Sequence, residues 1–114
     1  MTVSTHVLDA SLGTPAAGMS VTLSRLAAGW LDVESGVTGQ DGRHRFLGDT
    51  PAGTYCLTFA TGQYFAARTV PTFYPEVAVT FTITEPEDES DGPVGHFHVP
   101  LLLSPFAYST YRGS

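Results

Sequence analysis

A chain of 114 residues with a formal net charge of −6 is long enough to bury one hydrophobic core and too short for two, since a domain of this length buries roughly two-thirds of its unfolded surface. All five cations are arginines, dispersed as Arg25, Arg43, Arg45, Arg68 and Arg112, which excludes the clustered positive face that nucleic acid needs. With no lysine at all, Schiff-base catalysis and lysine-derived isopeptide crosslinks are excluded too.

The N-terminus, MTVSTHVLDA, has no basic region followed by an apolar run. No stretch approaches the ~18–20 apolar residues of a membrane span. The expectation is therefore a soluble, cytoplasmic protein forming one domain over residues 1–114. Twelve glycines and eight prolines punctuate short alternating runs, the pattern of an all-β sandwich.

Residues 3–10 read as the first strand, with Val3, Thr5 and Val7 on one face and Ser4, His6 and Leu8 on the other. Gly13, Thr14 and Pro15 read as a turn. Met19, Val21 and Leu23 alternate with Ser20, Thr22 and Ser24 in a second strand. Leu31, Val33 and Val37 mark a third beyond Ala28-Gly29. The dipeptide Asp41-Gly42 signals a tight turn into a short fourth strand, Arg43 to Leu47.

After a turn at Pro51-Ala52-Gly53, Thr54 to Ala60 forms a fifth strand. It contains the only cysteine, Cys56, so no intramolecular disulfide is possible, and a lone thiol in an apolar run reads as packing. Gln63 to Arg68 lacks period-2 alternation and is read as the one helix, about two turns long. Val77, Val79, Phe81 and Ile83 against Ala78, Thr80, Thr82 and Thr84 make a sixth, one-sided strand. The acidic run from Glu85 to Gly92 reads as a solvated loop. Its spacing does not supply the ligand pattern of a calcium loop.

The seventh strand carries the chemistry. In His96-Phe97-His98-Val99-Pro100-Leu101-Leu102-Leu103, the residues Phe97, Val99, Leu101 and Leu103 share the core face. His96 and His98 share the other, roughly 6–7 Å apart at a rise of ~3.3 Å per residue. An imidazole there can take a proton from water near neutral pH and return it to a leaving group. His98 is the first candidate, with His96 either supporting it or merely exposed. With His6 the pair also permits a three-nitrogen zinc site, the main rival chemistry. Tyr108 to Tyr111 reads as an eighth strand, leaving Tyr111-Arg112-Gly113-Ser114 as an unusually aromatic end.

These residues carry a resemblance. The run HFHVPLLLSPFAYSTYRGS resembles the C-terminal signature of the 5-hydroxyisourate hydrolases, transthyretin-like enzymes of purine breakdown. Thr5-His6-Val7-Leu8-Asp9 with Leu12-Gly13 and Pro15-Ala16 is similar to a second signature of that family, and Phe73-Tyr74-Pro75-Glu76-Val77 to a third. The resemblance implies a transthyretin-like (prealbumin-like) β-sandwich of about eight strands with one short helix.

It implies that His6, Arg43 and His98 are catalytic and that Tyr111, Arg112, Gly113 and Ser114 fold over the substrate. No cofactor or metal is implied. The implied reaction opens the six-membered ring of 5-hydroxyisourate to 2-oxo-4-hydroxy-4-carboxy-5-ureidoimidazoline. The implied assembly is a homotetramer, a dimer of dimers with its sites in the groove between them. Two non-enzymatic alternatives share the architecture. One is a transthyretin-like carrier of small ligands, which needs neither the histidines nor the YRGS end. The other is an accessory β-sandwich module, suggested by the turns at Asp41-Gly42 and Pro51-Ala52-Gly53.

Overall fold

The structure, a computed structural model, describes residues 1–85 and 95–114. Two sheets face each other across one apolar core. The elements in chain order are β1 (Thr2–Asp9), β2 (Thr14–Pro15), β3 (Ser20–Leu26), β4 (Trp30–Val37), β5 (Arg43–Arg45), β6 (Gly53–Phe59), α1 (Thr61–Ala66), β7 (Val77–Ile83), β8 (His96–Leu103) and β9 (Tyr108–Thr110). One sheet has the order β2-β1-β8-β9, with β5 also paired to β1, and the other has the order β4-β3-β6-β7.

Strand parity decides what enters the core. Val3 and Val7 of β1, Val21 and Leu23 of β3, and Leu101 and Leu103 of β8 are all at most 1% exposed. Each such side chain contributes about 1.5–3 kcal/mol on burial. A one-residue slip of β1 or β8 would turn its apolar set to solvent and its polar set inward, so the register is fixed by this burial. The consequence for function is direct. With the apolar parity committed to the core, Thr2, Ser4 and His6 of β1 and His96 and His98 of β8 take the outward face.

The first and fifth expected strands are shifted by one residue, to Thr2–Asp9 and Gly53–Phe59, within ordinary boundary scatter, and four further elements differ from those expected. Thr14 and Pro15 form a two-residue strand instead of a plain turn, pairing Leu8 with Pro15 and Asp9 with Thr14, so nine strands form among the described residues where about eight were expected. The fourth strand ends at Arg45, not Leu47. Phe46 N–H still donates to the Val3 carbonyl at 3.0 Å, but the Glu34 carboxylate accepts from the N–H groups of Leu47 and Gly48 at 2.9–3.0 Å. That capture draws the chain off β1. The helix spans Thr61–Ala66 instead of Gln63 to Arg68.

The helix starts early because Gly62, a breaker by propensity, is required there. Its N–H donates to the Pro75 carbonyl at 3.0 Å, and a Cβ would lie 2.6 Å from that oxygen. The helix stops where Thr69 takes a positive φ of 58° and Val70 N–H reaches back to the Phe65 carbonyl, a C-terminal closure of the left-handed type. The eighth strand closes at Thr110, one residue short of Tyr111, within ordinary boundary scatter. The expected acidic loop from Glu85 to Gly92 lies, apart from Glu85, outside the described residues.

Candidate active site

The first and last long strands, β1 and β8, are parallel neighbours, with Thr2 opposite His96, Ser4 opposite His98 and His6 opposite Pro100. On the other edge of β1, antiparallel β5 sets Arg45 opposite Ser4 and Arg43 opposite His6. Two rows therefore cross the outward face, Arg45–Ser4–His98 and Arg43–His6–Pro100. The spacing between neighbouring strands is about 4.8 Å, so a guanidinium and an imidazole from strands on either side of β1 can reach one small molecule. The chain then returns along β9, and Gly113 bridges to His98, its N–H donating to the His98 carbonyl at 2.9 Å.

A pocket of about 320 Å³ opens on this face, lined by Ser4, Thr5, Arg43, His44, Arg45, His96, His98 and Ser114. Of the residues expected to act, Arg43, His98 and Ser114 are thus brought together. His6 does not line this pocket. It stands one row away on the same face, close enough for its charge to bear on His98. Gly113 packs on the His98 ring: a Cβ there would sit 2.5 Å from the imidazole Cδ2 and 3.1 Å from Pro100 Cγ. Only a residue without a side chain fits.

Tyr111 and Arg112 face a different groove, of about 350 Å³, which they share with Val79 and Phe81 of β7. There the Arg112 guanidinium carbon lies 4.9 Å from the Phe97 ring centroid, a cation–π distance. These two residues anchor the chain end, and Gly113 and Ser114 continue from them to the pocket.

The electrostatics suit a base. Burial, and then the charges of Arg43, His96 and His6, hold the His98 imidazole below its ordinary 6.5, against a smaller opposing effect from Ser4. Burial and Arg45 do the same to His96. Both rings are therefore neutral at physiological pH and each keeps a lone pair. His98 Nδ1 is 2.8 Å from Ser4 Oγ, and no described group hydrogen-bonds its Nε2. His96 has both ring nitrogens engaged, Nδ1 by Thr2 Oγ1 at 2.8 Å and Nε2 by Ser4 Oγ at 2.9 Å.

The zinc reading fares worse. Among the described residues, no group of three or more His, Cys, Asp or Glu side chains is arranged to hold a metal ion, and the hydroxyl partners of His96 occupy the lone pair that a metal would need.

Ser4, His44 and Arg45 were not picked out from sequence. Parity alone puts Ser4 and His6 on one face of β1, and Arg43 and Arg45 on one face of β5. The missing information is that β1 lies beside β8, which no local pattern carries. His44 turns inward, edge-on to Phe46 with ring centroids 4.6 Å apart, and its Nε2 is buried without a partner among the described residues.

Comparison with known proteins identifies the family. A family model described as the HIUase/Transthyretin family matches residues 3–113. The chain is 45% identical over 119 residues to a 5-hydroxyisourate hydrolase of Mus musculus, covering 98% of this chain and 94% of that protein. It is similar to the solved structure of Klebsiella pneumoniae 5-hydroxyisourate hydrolase, with 40% identity, a TM-score of 0.84 and complete coverage of both chains. It is also similar to sea bream transthyretin in complex with thyroxine, with 30% identity, a TM-score of 0.86, and 97% and 93% of the two chains covered.

Proposed function

The chain belongs to the HIUase/transthyretin family, and from that premise we propose that it is the enzyme that hydrolyses 5-hydroxyisourate in urate degradation, by histidine-activated water with arginine stabilisation. The observation that carries the reading is the convergence of Arg43, His98 and Ser114 on one pocket, reached from β5, β8 and the chain end.

His98 is the base. Its Nε2 takes a proton from water, and the hydroxide adds to the ring carbonyl of the substrate. Arg43 stabilises the oxyanion that develops, an interaction worth most where water is excluded. His6, beside Arg43, orients the water or donates to the leaving nitrogen as the C–N bond breaks. Ser114 closes the pocket over the substrate, and Tyr111, Arg112 and Gly113 hold it there as the rest of the substrate-binding element. No cofactor enters these steps.

Two further features follow from the same reading. Small-molecule sites are concave and bury most of their ligand, whereas this pocket opens on the outer face of one sheet. A homotetramer, a dimer of dimers whose site-bearing faces oppose each other, would close it. The compartment this implies is the cytoplasm, and among the described residues no helix is long and apolar enough to cross a membrane.

An ultraviolet assay of freshly generated 5-hydroxyisourate tests the proposal. The unaltered protein should accelerate its loss, and His98→Ala should lower kcat by about 10²–10⁴-fold, the usual worth of a positioned acid–base group. Binding without turnover would return the protein to the carrier class, and equal rates for the two proteins would remove His98 from the mechanism.

A further inference from the structure

Four side chains on β1 and β8 form one unbroken hydrogen-bonded line. Thr2 Oγ1 is 2.8 Å from His96 Nδ1, His96 Nε2 is 2.9 Å from Ser4 Oγ, and Ser4 Oγ is 2.8 Å from His98 Nδ1. The parallel register produces it, setting Thr2 and Ser4 directly beside the two histidines. Among the described residues, Ser4 is the only hydrogen-bonded link between the rings.

The hydrogens can be counted. A neutral imidazole has one N–H and one lone pair, and a serine hydroxyl has one hydrogen to give. The line must therefore be polarised one way or the other throughout. If His98 Nδ1–H donates to Ser4, then Ser4 donates to His96 Nε2 and His96 Nδ1–H donates to Thr2. His98 Nε2 is then a bare lone pair on a residue that lines the pocket. In the opposite sense Nε2 carries the hydrogen and cannot accept one from water.

The charges around the pocket select between these. Arg43 and Arg45 both line it and no Asp or Glu side chain does, and two guanidiniums beside His98 favour a lone pair over an N–H at its Nε2.

We propose that Ser4 and His96 are positioning residues that fix His98 as its Nδ1–H tautomer and carry its surplus proton out of the pocket. This rests on the hydrolytic reading above. As His98 Nε2 takes a proton from the attacking water, the Nδ1 proton passes to Ser4 Oγ and the Ser4 hydroxyl proton passes to His96 Nε2. Hydroxide is left to add to the carbonyl, and the positive charge stands on His96. His98 Nε2 then gives that proton to the leaving ring nitrogen, as return along the same line restores the hydrogen of His98 Nδ1 and leaves His96 neutral. The transfer relieves a crowded site, since His98 has Arg43, His96 and His6 around it, whereas only Arg45 bears on His96.

The test uses protein labelled with ¹⁵N in its histidines and needs no substrate for its first arm. Long-range ¹H–¹⁵N spectra at a pH of about 8 should find His98 and His96 both protonated on Nδ1 alone, and Ser4→Ala should return both to a tautomer mixture. In the assay, Ser4→Ala should lower kcat by about 10–100-fold, the usual cost of losing an orienting partner, with little change in KM. Ser4→Thr, which keeps the hydroxyl on a strand-favouring residue, should recover most of the rate. His98 protonated on Nε2 in the unaltered protein, or full turnover by Ser4→Ala, would overturn the proposal. Failure of the unaltered protein to turn over substrate would remove the hydrolytic reading, while the tautomer spectra would still decide the line.

Discussion

At the scale of single residues, His98 is shaped by neighbours that each act through a different force. Burial removes water that would stabilise the imidazolium, and Arg43 repels the same proton across the pocket. Both effects lower its proton affinity, so His98 stays a free base below its ordinary 6.5. The acid limb of kcat/KM should accordingly fall below that value. Arg43→Gln removes the repulsion and should move the His98 titration, followed by NMR of its ring protons, upward toward 6.5. An unmoved titration would mean that burial and the neighbouring histidines set it without Arg43.

Gly113 acts by absence. A methyl group there would meet His98 Cδ2 at 2.5 Å, closer than real Cβ contacts come, and the ring or the chain end must yield. Gly113→Ala should therefore cost at least about 10-fold in kcat, since misplacement of about 1 Å can cost ~10²-fold. The melting temperature should hardly move, because the chain end packs little apolar surface. A variant with normal turnover would place the His98 ring elsewhere during catalysis.

At the scale of elements, the β1–β2 turn is tied to α1 through one buried carboxylate. Asp9, 1% exposed, accepts from the Tyr64 hydroxyl at 2.8 Å, from the Ser11 hydroxyl and from the N–H groups of Ser11 and Leu12. Burial would raise its pKa, but these hydrogen bonds together outweigh burial and hold it below the ordinary 3.8. Tyr64, buried and donating to that carboxylate, is pushed up to about 12, and Arg68 stacks on its ring with the guanidinium carbon 3.7 Å from the centroid.

A carboxylate whose folded pKa is lowered adds stability that is present above its unfolded value and is lost as pH falls through the folded one. The two lowered histidines act at higher pH. Below 6.5 the unfolded chain binds protons that His96 and His98 in the folded chain refuse, so stability already declines there. Urea midpoints against pH should thus fall in two stages, and Asp9→Asn should shrink the lower one. It should also cost about 1–3 kcal/mol at neutral pH, the penalty for buried donors left without their acceptor. A single-stage profile in the unaltered protein would count against the Asp9 cluster.

The same elements explain what was legible in advance. Alternation in β1, β3 and β8 is imposed by burial, so the faces of His6, His96 and His98 could be read directly. The pairing of Ser4 with two histidines more than ninety positions later is a long-range event that leaves no local trace. Thr14-Pro15 is too short to show a period, and the helix start at Thr61 escapes a local reading because the Pro75 carbonyl that demands a glycine at Gly62 lies thirteen residues on. His98 is a candidate from its place on the polar face of its strand, whereas the assignment of His6 and Arg43 as working groups comes from motif resemblance. Nothing in their spacing would have separated Arg43 from the four other arginines.

For the whole molecule, the question is what covers the face that carries the pocket. Along that face the histidines give way to Leu102, 38% exposed. At the same end the β1–β2 and β8–β9 turns are held together, with Ala10 N–H donating to the Leu103 carbonyl at 2.7 Å. Those turns present Leu12 and Phe106, 65% and 67% exposed. Exposed apolar side chains gathered at one end of a polar face are the kind of surface an interface covers, and a closed assembly with two-fold axes lets one such patch cover its own copy.

Sedimentation should therefore give the mass of four copies. A charge introduced at the patch separates assembly from folding, because Leu102 points away from the core. Leu102→Glu should yield a smaller species with an unchanged circular dichroism spectrum and a kcat/KM lowered by at least about 10-fold, through loss of the uniform binding that a second wall supplies. If the smaller species hydrolyses substrate at the full rate, the pocket of a single chain is sufficient and the assembly has some other use. If the variant stays tetrameric, the copies meet through a different face. In either case, the Arg43–His98–Ser114 cluster would have to exclude water with residues of its own chain, and Arg45 and His6 at its edges are the nearest candidates.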